Sequence, residues 1–264
     1  MPVGSGLSSS AALEVSSALA LLDGQPIQPL DLALLCQRAE REFVGMPCGI
    51  MDQYVSVFAQ PGAAVKIDCR SLESAIVPLP GDAAILAVNS MVKHELSGSA
   101  YRDRVRECGE AVAALQTRYP EVKSLRDVTP AQLAAAASAM PEAPYRRARH
   151  VTTENARVEA FEEASRRGDL KAMGELFVAS HRSLQHDYEV SCEELDFLVD
   201  SALAVDGVLG ARMTGGGFGG CTVNLVRPAA VDAFRAALTA RYRERYGLEP
   251  EFYECKPSAG AGKL

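Results

Sequence analysis

The sequence has no run of about 18 apolar residues, the length a membrane-spanning helix needs. No basic stretch with an apolar core behind it is found at the front, so no secretory signal is read. The expectation is a cytoplasmic protein with no membrane and no nucleic acid as partner. The seven cysteines, Cys36, Cys48, Cys69, Cys108, Cys192, Cys221 and Cys255, are odd in number and never in C-x-x-C spacing. That argues against zinc ribbons and disulfide frameworks and fits reduced thiols. His94, His150, His181 and His186 lack ligand-like spacing and are expected at the surface or behind other groups. Positive charge is also short: 27 Lys and Arg face 34 Asp and Glu, a net charge of -7. No global field then favours nucleic acid. Arg146-Arg147-x-Arg149-His150 accordingly reads as a solvated helix face.

What is present is concentrated at the front. Pro2-Val3-Gly4-Ser5-Gly6-Leu7-Ser8-Ser9-Ser10 runs directly into an alanine-rich apolar stretch, 11–22. Gly4 and Gly6 let a backbone turn tightly and approach an anion. The serines can cap the helix and offer hydroxyls to phosphate oxygens or a metal. The helix start adds N–H groups and partial positive charge. A phosphate cradle suits this composition; an ordinary glycine–serine connection is the alternative. The Walker A lysine and the third glycine of a dinucleotide loop are both missing.

The rest of the chain, 264 residues at 48% hydrophobic, suffices for a large core or two lobes. Periodicity predicts helices over 9–22, 31–44 and 50–59, the second with Leu32, Leu35, Ala39 and Phe43 on one stripe. Strands over 64–69 and 74–79 form a hairpin, and Pro80-Gly81-Asp82 is the best boundary. A buried strand over 84–89 follows, then helices over 101–119, 145–167, 170–185 and 192–204. Strands over 210–214 and 221–226 flank a glycine turn, ahead of a helix over 229–246 and a strand over 251–254. The alanine run 134–139 is a helix former, and no internal repeat occurs. The pattern is α+β.

Two further segments carry chemistry. In Gly45-Met46-Pro47-Cys48-Gly49-Ile50-Met51-Asp52-Gln53, Asp52 follows a Gly/Pro turn near a helix start, where the dipole favours its anion. It could accept or hold a substrate hydroxyl proton; a plain first-turn residue is the alternative. Glu40, on the preceding helix, could ligate Mg²⁺ or be a solvated charge. In Met213-Thr214-Gly215-Gly216-Gly217-Phe218-Gly219-Gly220-Cys221, five glycines in six positions suit a backbone that must come close to something. A glycine-rich hairpin is the alternative. Cys48 and Cys221 border these loops and read as packing residues, since no base is placed to activate them.

Together these segments resemble the GHMP small-molecule kinase superfamily and, within it, the galactokinase family. Residues 2–12 resemble the second motif, the phosphate loop, and 213–221 the third, which backs it. Residues 45–53 are similar to the galactokinase catalytic segment, and Ile67-Asp68-Cys69-Arg70-Ser71-Leu72 to the strand and turn after it. Asn89-Ser90-x-Val92-Lys93-His94, Tyr101-Arg102, residues 180–184 and residues 187–192 match as well. The resemblance implies a two-lobed fold: an incomplete N-terminal lobe like ribosomal protein S5 domain 2 over 1–81, and a ferredoxin-like C-terminal lobe over 82–264. It implies that Asp52 is catalytic and that Gly49, Asp52 and Tyr101 contact the sugar. It implies that Gly4, Ser5, Gly6, Leu7, Ser8, Ser9, Ser10 and Ala11 surround the ATP phosphates. Ser9 and Glu40 would hold Mg²⁺, and Gly215, Gly216 and Gly217 would support the loop. The implied reaction is ATP plus α-D-galactose giving galactose 1-phosphate and ADP.

One departure stands out. The family's first motif, G-R-V-N-L-I-G-E-H-T-D-Y, occurs nowhere in the chain. That motif supplies an arginine near the catalytic aspartate and several sugar-binding groups. The expectation is a galactokinase without roughly its first third, monomeric if complete, with little activity alone, bare apolar surface and poor solubility. Alternatives are a non-catalytic galactokinase-like sensor of sugar and ATP, another GHMP kinase such as N-acetylgalactosamine kinase, or a remnant without function. The retained Ser10-Ala11 pair favours an enzyme over a sensor.

Overall fold

The computed structural model describes residues 6–46, 48–93 and 97–262. Gly4, Ser5, Pro47 and His94 lie outside the described residues. The chain runs α1 (Ser9–Leu22), α2 (Pro29–Ala39), α3 (Met51–Phe58), β1 (Ala63–Ile67), β2 (Ser74–Pro78), β3 (Ala84–Lys93), α4 (Ser97–Gln116) and α5 (Pro130–Ala135). It continues α6 (Glu142–Arg166), α7 (Leu170–Ser183), α8 (Glu193–Leu203), β4 (Val208–Met213), β5 (Gly219–Val226), α9 (Val231–Tyr246) and β6 (Glu251–Cys255).

β1 and β2 form the antiparallel hairpin expected from their alternation. The other four strands make one antiparallel sheet in the order β4-β5-β3-β6. Helices between β3 and β4, and between β5 and β6, place β3 between the non-consecutive β5 and β6 while β4 pairs with β5, the ferredoxin-like arrangement. Leu86, Ala87 and Val88 of β3 are all buried, because helices cover both faces. On one face Leu86 and Val88 pack with Leu198 and Val199 of α8 and Phe234, Leu238 and Tyr242 of α9. On the other, Leu225 of β5 packs with Ala164 of α6 and Met173 of α7. A separate core joins Ala111 and Leu115 of α4 to Leu133 and Ala148.

α1 to α3 pack through Val15, Leu32 and Cys36 and through Ala33, Ile50 and Tyr54. The C-terminal tail returns to this part: the Gly260 N–H donates to Ala59 O at 2.8 Å and the Ala261 N–H to Ser56 O at 2.7 Å.

Three sequence expectations are corrected. The apolar stripe of α2 is Leu32, Ala33 and Cys36, while Leu35 and Phe43 are exposed. The helix passes at Glu40 into a π-helical turn, Glu40–Val44, and the wider turn swings Phe43 outward. The alanine run is broken: α5 stops at Ala135, and a 3-10 turn, Ala137–Ala139, follows. The basic cluster is not a solvated face either. Arg147 is 2% exposed and donates to Glu107 Oε2 at 2.6 Å, to Glu189 Oε2 at 2.6 Å and to Asp187 O at 2.6 Å. His150 and His181 are likewise buried. His181 Nδ1 accepts the Met213 N–H, and its Nε2 stands 3.2 Å from Asp196 Oδ1.

Candidate active site

The phosphate loop enters α1 through Ser8, which holds a left-handed conformation (φ 58°) as N-cap but makes no side-chain cap hydrogen bond. The serine hydroxyl thus does not close the helix as its sequence suggested. The first helical bond is from the Ala12 N–H to Ser8 O, at 3.2 Å. The amides of Ser9, Ser10 and Ala11 precede it and have no helical partner, which makes an anion-binding helix start. Ala11 is buried, Leu7, Ser8 and Ser9 are half-buried, and Gly6 and Ser10 are exposed.

The glycine loop between β4 and β5 lies directly behind. A Cβ on Gly215 would stand 3.1 Å from Gly6 O, and one on Gly6 would stand 3.8 Å from Cys221 N. On its other side, a Cβ on Gly217 would stand 2.1 Å from Val190 O, so no larger residue fits. The Phe218 N–H donates to that same oxygen at 2.8 Å.

Asp52 sits in the first turn of α3. It lines a cavity of about 480 Å³ with Gly49, Tyr101, Gly215, Gly216, Gly217 and Phe218. Segments more than 150 residues apart in sequence therefore converge on one chamber beside the phosphate loop. The thiols are quiet: burial pushes Cys221 up to about 12 and raises Cys48 as well. This matches the packing role expected of both.

Glu40 is 8% exposed, and its Oε2 is buried without a hydrogen-bond partner. Beside it lies Glu14, a residue sequence reasoning passed over. Gln53 Nε2 donates to Glu14 Oε2 at 3.0 Å. Burial, and then the neighbouring Glu40 carboxyl, push the Glu14 carboxyl up to about 7. A signal existed, since Glu14 is the one charged residue in α1. A buried, unpartnered carboxylate oxygen next to a second carboxyl suits a hard divalent cation. Among the described residues no three His, Cys, Asp or Glu side chains converge to hold a metal. Phosphate oxygens, hydroxyls and water would have to complete such a shell. No hydrogen bond joins Ser9 to Glu40 among the described residues.

Two glycine loops stacked backbone to backbone at a helix start, next to a chamber that holds Asp52, define a small-molecule kinase of the GHMP class. The models "GHMP kinases N terminal domain" and "GHMP kinases C terminal" match residues 1–60 and 160–244. The galactokinase of Roseiflexus sp. (strain RS-1) is 45% identical over 266 residues, covering 100% of this chain and 68% of the relative. The galactokinase of Homo sapiens is 48% identical over 268 residues, covering 100% of this chain and 66% of the relative. The crystal structure of Lactococcus lactis galactokinase complexed with galactose superposes with a TM-score of 0.95 at 38% identity, covering 100% of this chain and 69% of that one. The chain belongs to the galactokinase family. It spans about two thirds of the length of these relatives. An L. major mevalonate kinase, at 21% identity and a TM-score of 0.60, shares the fold. Among the described residues no helix is long and apolar enough to cross a membrane.

Proposed function

We propose that this chain builds the phosphoryl-transfer site of a galactokinase, moving the γ-phosphoryl group of ATP to the anomeric hydroxyl of D-galactose. The supporting observation is the chamber in which Asp52, Gly49 and Tyr101 meet Gly215, Gly216 and Gly217 beside Gly6. Gly4, Ser5, Gly6, Leu7, Ser8, Ser9, Ser10 and Ala11 cradle the phosphates, of which Gly4 and Ser5 lie outside the described residues. The amides of Ser9 to Ala11 carry the oxyanion charge. Gly49 and Tyr101 orient the sugar, and Asp52 holds or accepts the hydroxyl proton. Phosphoryl transfer depends mainly on positioning and charge neutralisation, which such a set supplies. Ser9 and Glu40 would hold Mg²⁺, which when bound neutralises charge on the phosphate oxygens. Residues 1–81 would form the nucleotide-side lobe and 82–264 the second, with the returning tail stitched to the first.

The test is ADP release from Mg²⁺-ATP with and without D-galactose. Release that rises with galactose, and yields galactose 1-phosphate, supports the proposal. Equal release with N-acetylgalactosamine, or none that depends on a sugar, counts against it.

A further inference from the structure

Away from the phosphate loops, a cavity of about 310 Å³ opens between α6, α7 and the four-stranded sheet. Val158 and Phe161 of α6, Leu176 and Phe177 of α7, and Val223 and Leu225 of β5 give it apolar walls. Phe161 and Phe177 stack with their ring centres 5.5 Å apart. Arg212 of β4 also lines this chamber, with Glu154, Arg157 and Ser180.

The charges there do not balance. Glu154 Oε1 accepts from Ser180 Oγ at 2.5 Å, and Glu154 Oε2 accepts from Arg157 Nε at 2.6 Å. Arg212 Nη1 lies 3.6 Å from Glu154 Oε1, beyond hydrogen-bonding distance. Its Nε donates to the Met213 carbonyl at 3.0 Å. One carboxylate therefore serves two guanidiniums, and each of its oxygens already accepts a shorter hydrogen bond from another donor. The Arg212 side chain is 30% exposed, and with Glu154 at 3.6 Å two guanidiniums share one carboxylate, which leaves the lining with a net positive charge. An apolar chamber with an under-neutralised guanidinium complements an amphipathic anion. A neutral guest would leave Arg212 as it is, and a cationic guest would add repulsion.

We propose that this cavity is a binding site for a small monocarboxylate with an apolar body. The carboxylate pairs with Arg212, and the body lies between the Phe161–Phe177 pair and Val223 and Leu225. The site is separate from the chamber around Asp52, and its test does not depend on the phosphotransfer reading.

Octanoate, octan-1-ol and octylamine, titrated calorimetrically into the full chain, test this. Octanoate should bind saturably and at least about tenfold more tightly than octanol, a difference of about 1.4 kcal/mol. Octylamine should not bind. Arg212→Met should remove the preference for octanoate. Nuclear Overhauser contacts from octanoate to the Phe161 and Phe177 ring protons in the unmodified chain locate the guest, even if the variant does not fold. Equal affinity for octanoate and octanol, no saturable octanoate binding, or contacts at other rings would overturn the proposal.

Discussion

The carbonyl oxygen of Gly6 and the Cα of Gly215 face each other so closely that a Cβ on Gly215 would come within 3.1 Å of that oxygen. The phosphate loop is thus held from behind by backbone alone. Gly215 also has φ +75°, which a side chain rarely adopts. Gly215→Ala is expected to cost about 1–2 kcal/mol of stability and to weaken binding of an ATP analogue about tenfold, by displacing Gly6. Gly216 has open space around its Cα, so Gly216→Ala is the matched control and should leave both nearly unchanged. Calorimetric titration and thermal melts compare the two.

The Arg147 hub gives a second prediction. Its guanidinium ties α6 to Glu107 of α4 and to Glu189, next to Val190, whose carbonyl holds the glycine loop. Arg147→Met leaves Glu107, 9% exposed, with Arg104 as its nearest remaining partner. A loss of about 3 kcal/mol is expected in denaturant unfolding. Glu107→Gln added to Arg147→Met should recover part of that loss, and a purely additive double variant would refute the hub.

His150 predicts a pH dependence. Burial holds its pKa at about 4, below the ordinary 6.5. Its Nδ1 lies 3.0 Å from Ser183 Oγ, its ring packs on Tyr188, and Glu154, Arg157, Asp187 and Arg212 act on it electrostatically. Below pH 6.5 the unfolded chain takes up this proton and the folded chain does not. Stability is therefore full above pH 6.5 and is lost as pH falls toward 4, by about 3 kcal/mol at most. Urea unfolding across that window should show a shallower fall for His150→Gln than for the unmodified chain.

How far the sequence carried these conclusions depends on distance along the chain. α1 runs over the residues that periodicity and the serine run predicted, and the two loops were legible because their glycines are dense and local. The Arg147 hub was not, since Glu107 and Glu189 are forty and forty-two residues away and charge runs ordinarily mean solvent. Phe43 was misassigned because a π-helical turn at Glu40 breaks the 3.6-residue period, whereas Leu35 precedes that turn and lies off the buried face of Leu32, Ala33 and Cys36. Glu14 was missed for a similar reason: its meaning comes from Glu40 and Gln53, which only the packed helices bring to it.

Exposed apolar residues crowd the first part of the chain. Leu13, Leu21, Phe43, Val44 and Met51 are each more than half exposed, and Phe43 is 92% exposed. The chain of 264 residues is therefore expected to self-associate and to bind an apolar dye such as anilinonaphthalene sulfonate. Leu21→Ser with Phe43→Ser should reduce both signals without lowering the melting temperature, because neither side chain is packed.

Asp52 carries the central claim, and the most direct measurement is galactose-dependent ADP release by the unmodified chain beside Asp52→Ala, with nucleotide binding followed in both. The account predicts slow, galactose-dependent release that falls below detection in the variant while nucleotide affinity stays within about twofold. Release that survives in Asp52→Ala, or no galactose dependence in a folded chain that binds the nucleotide, would contradict it.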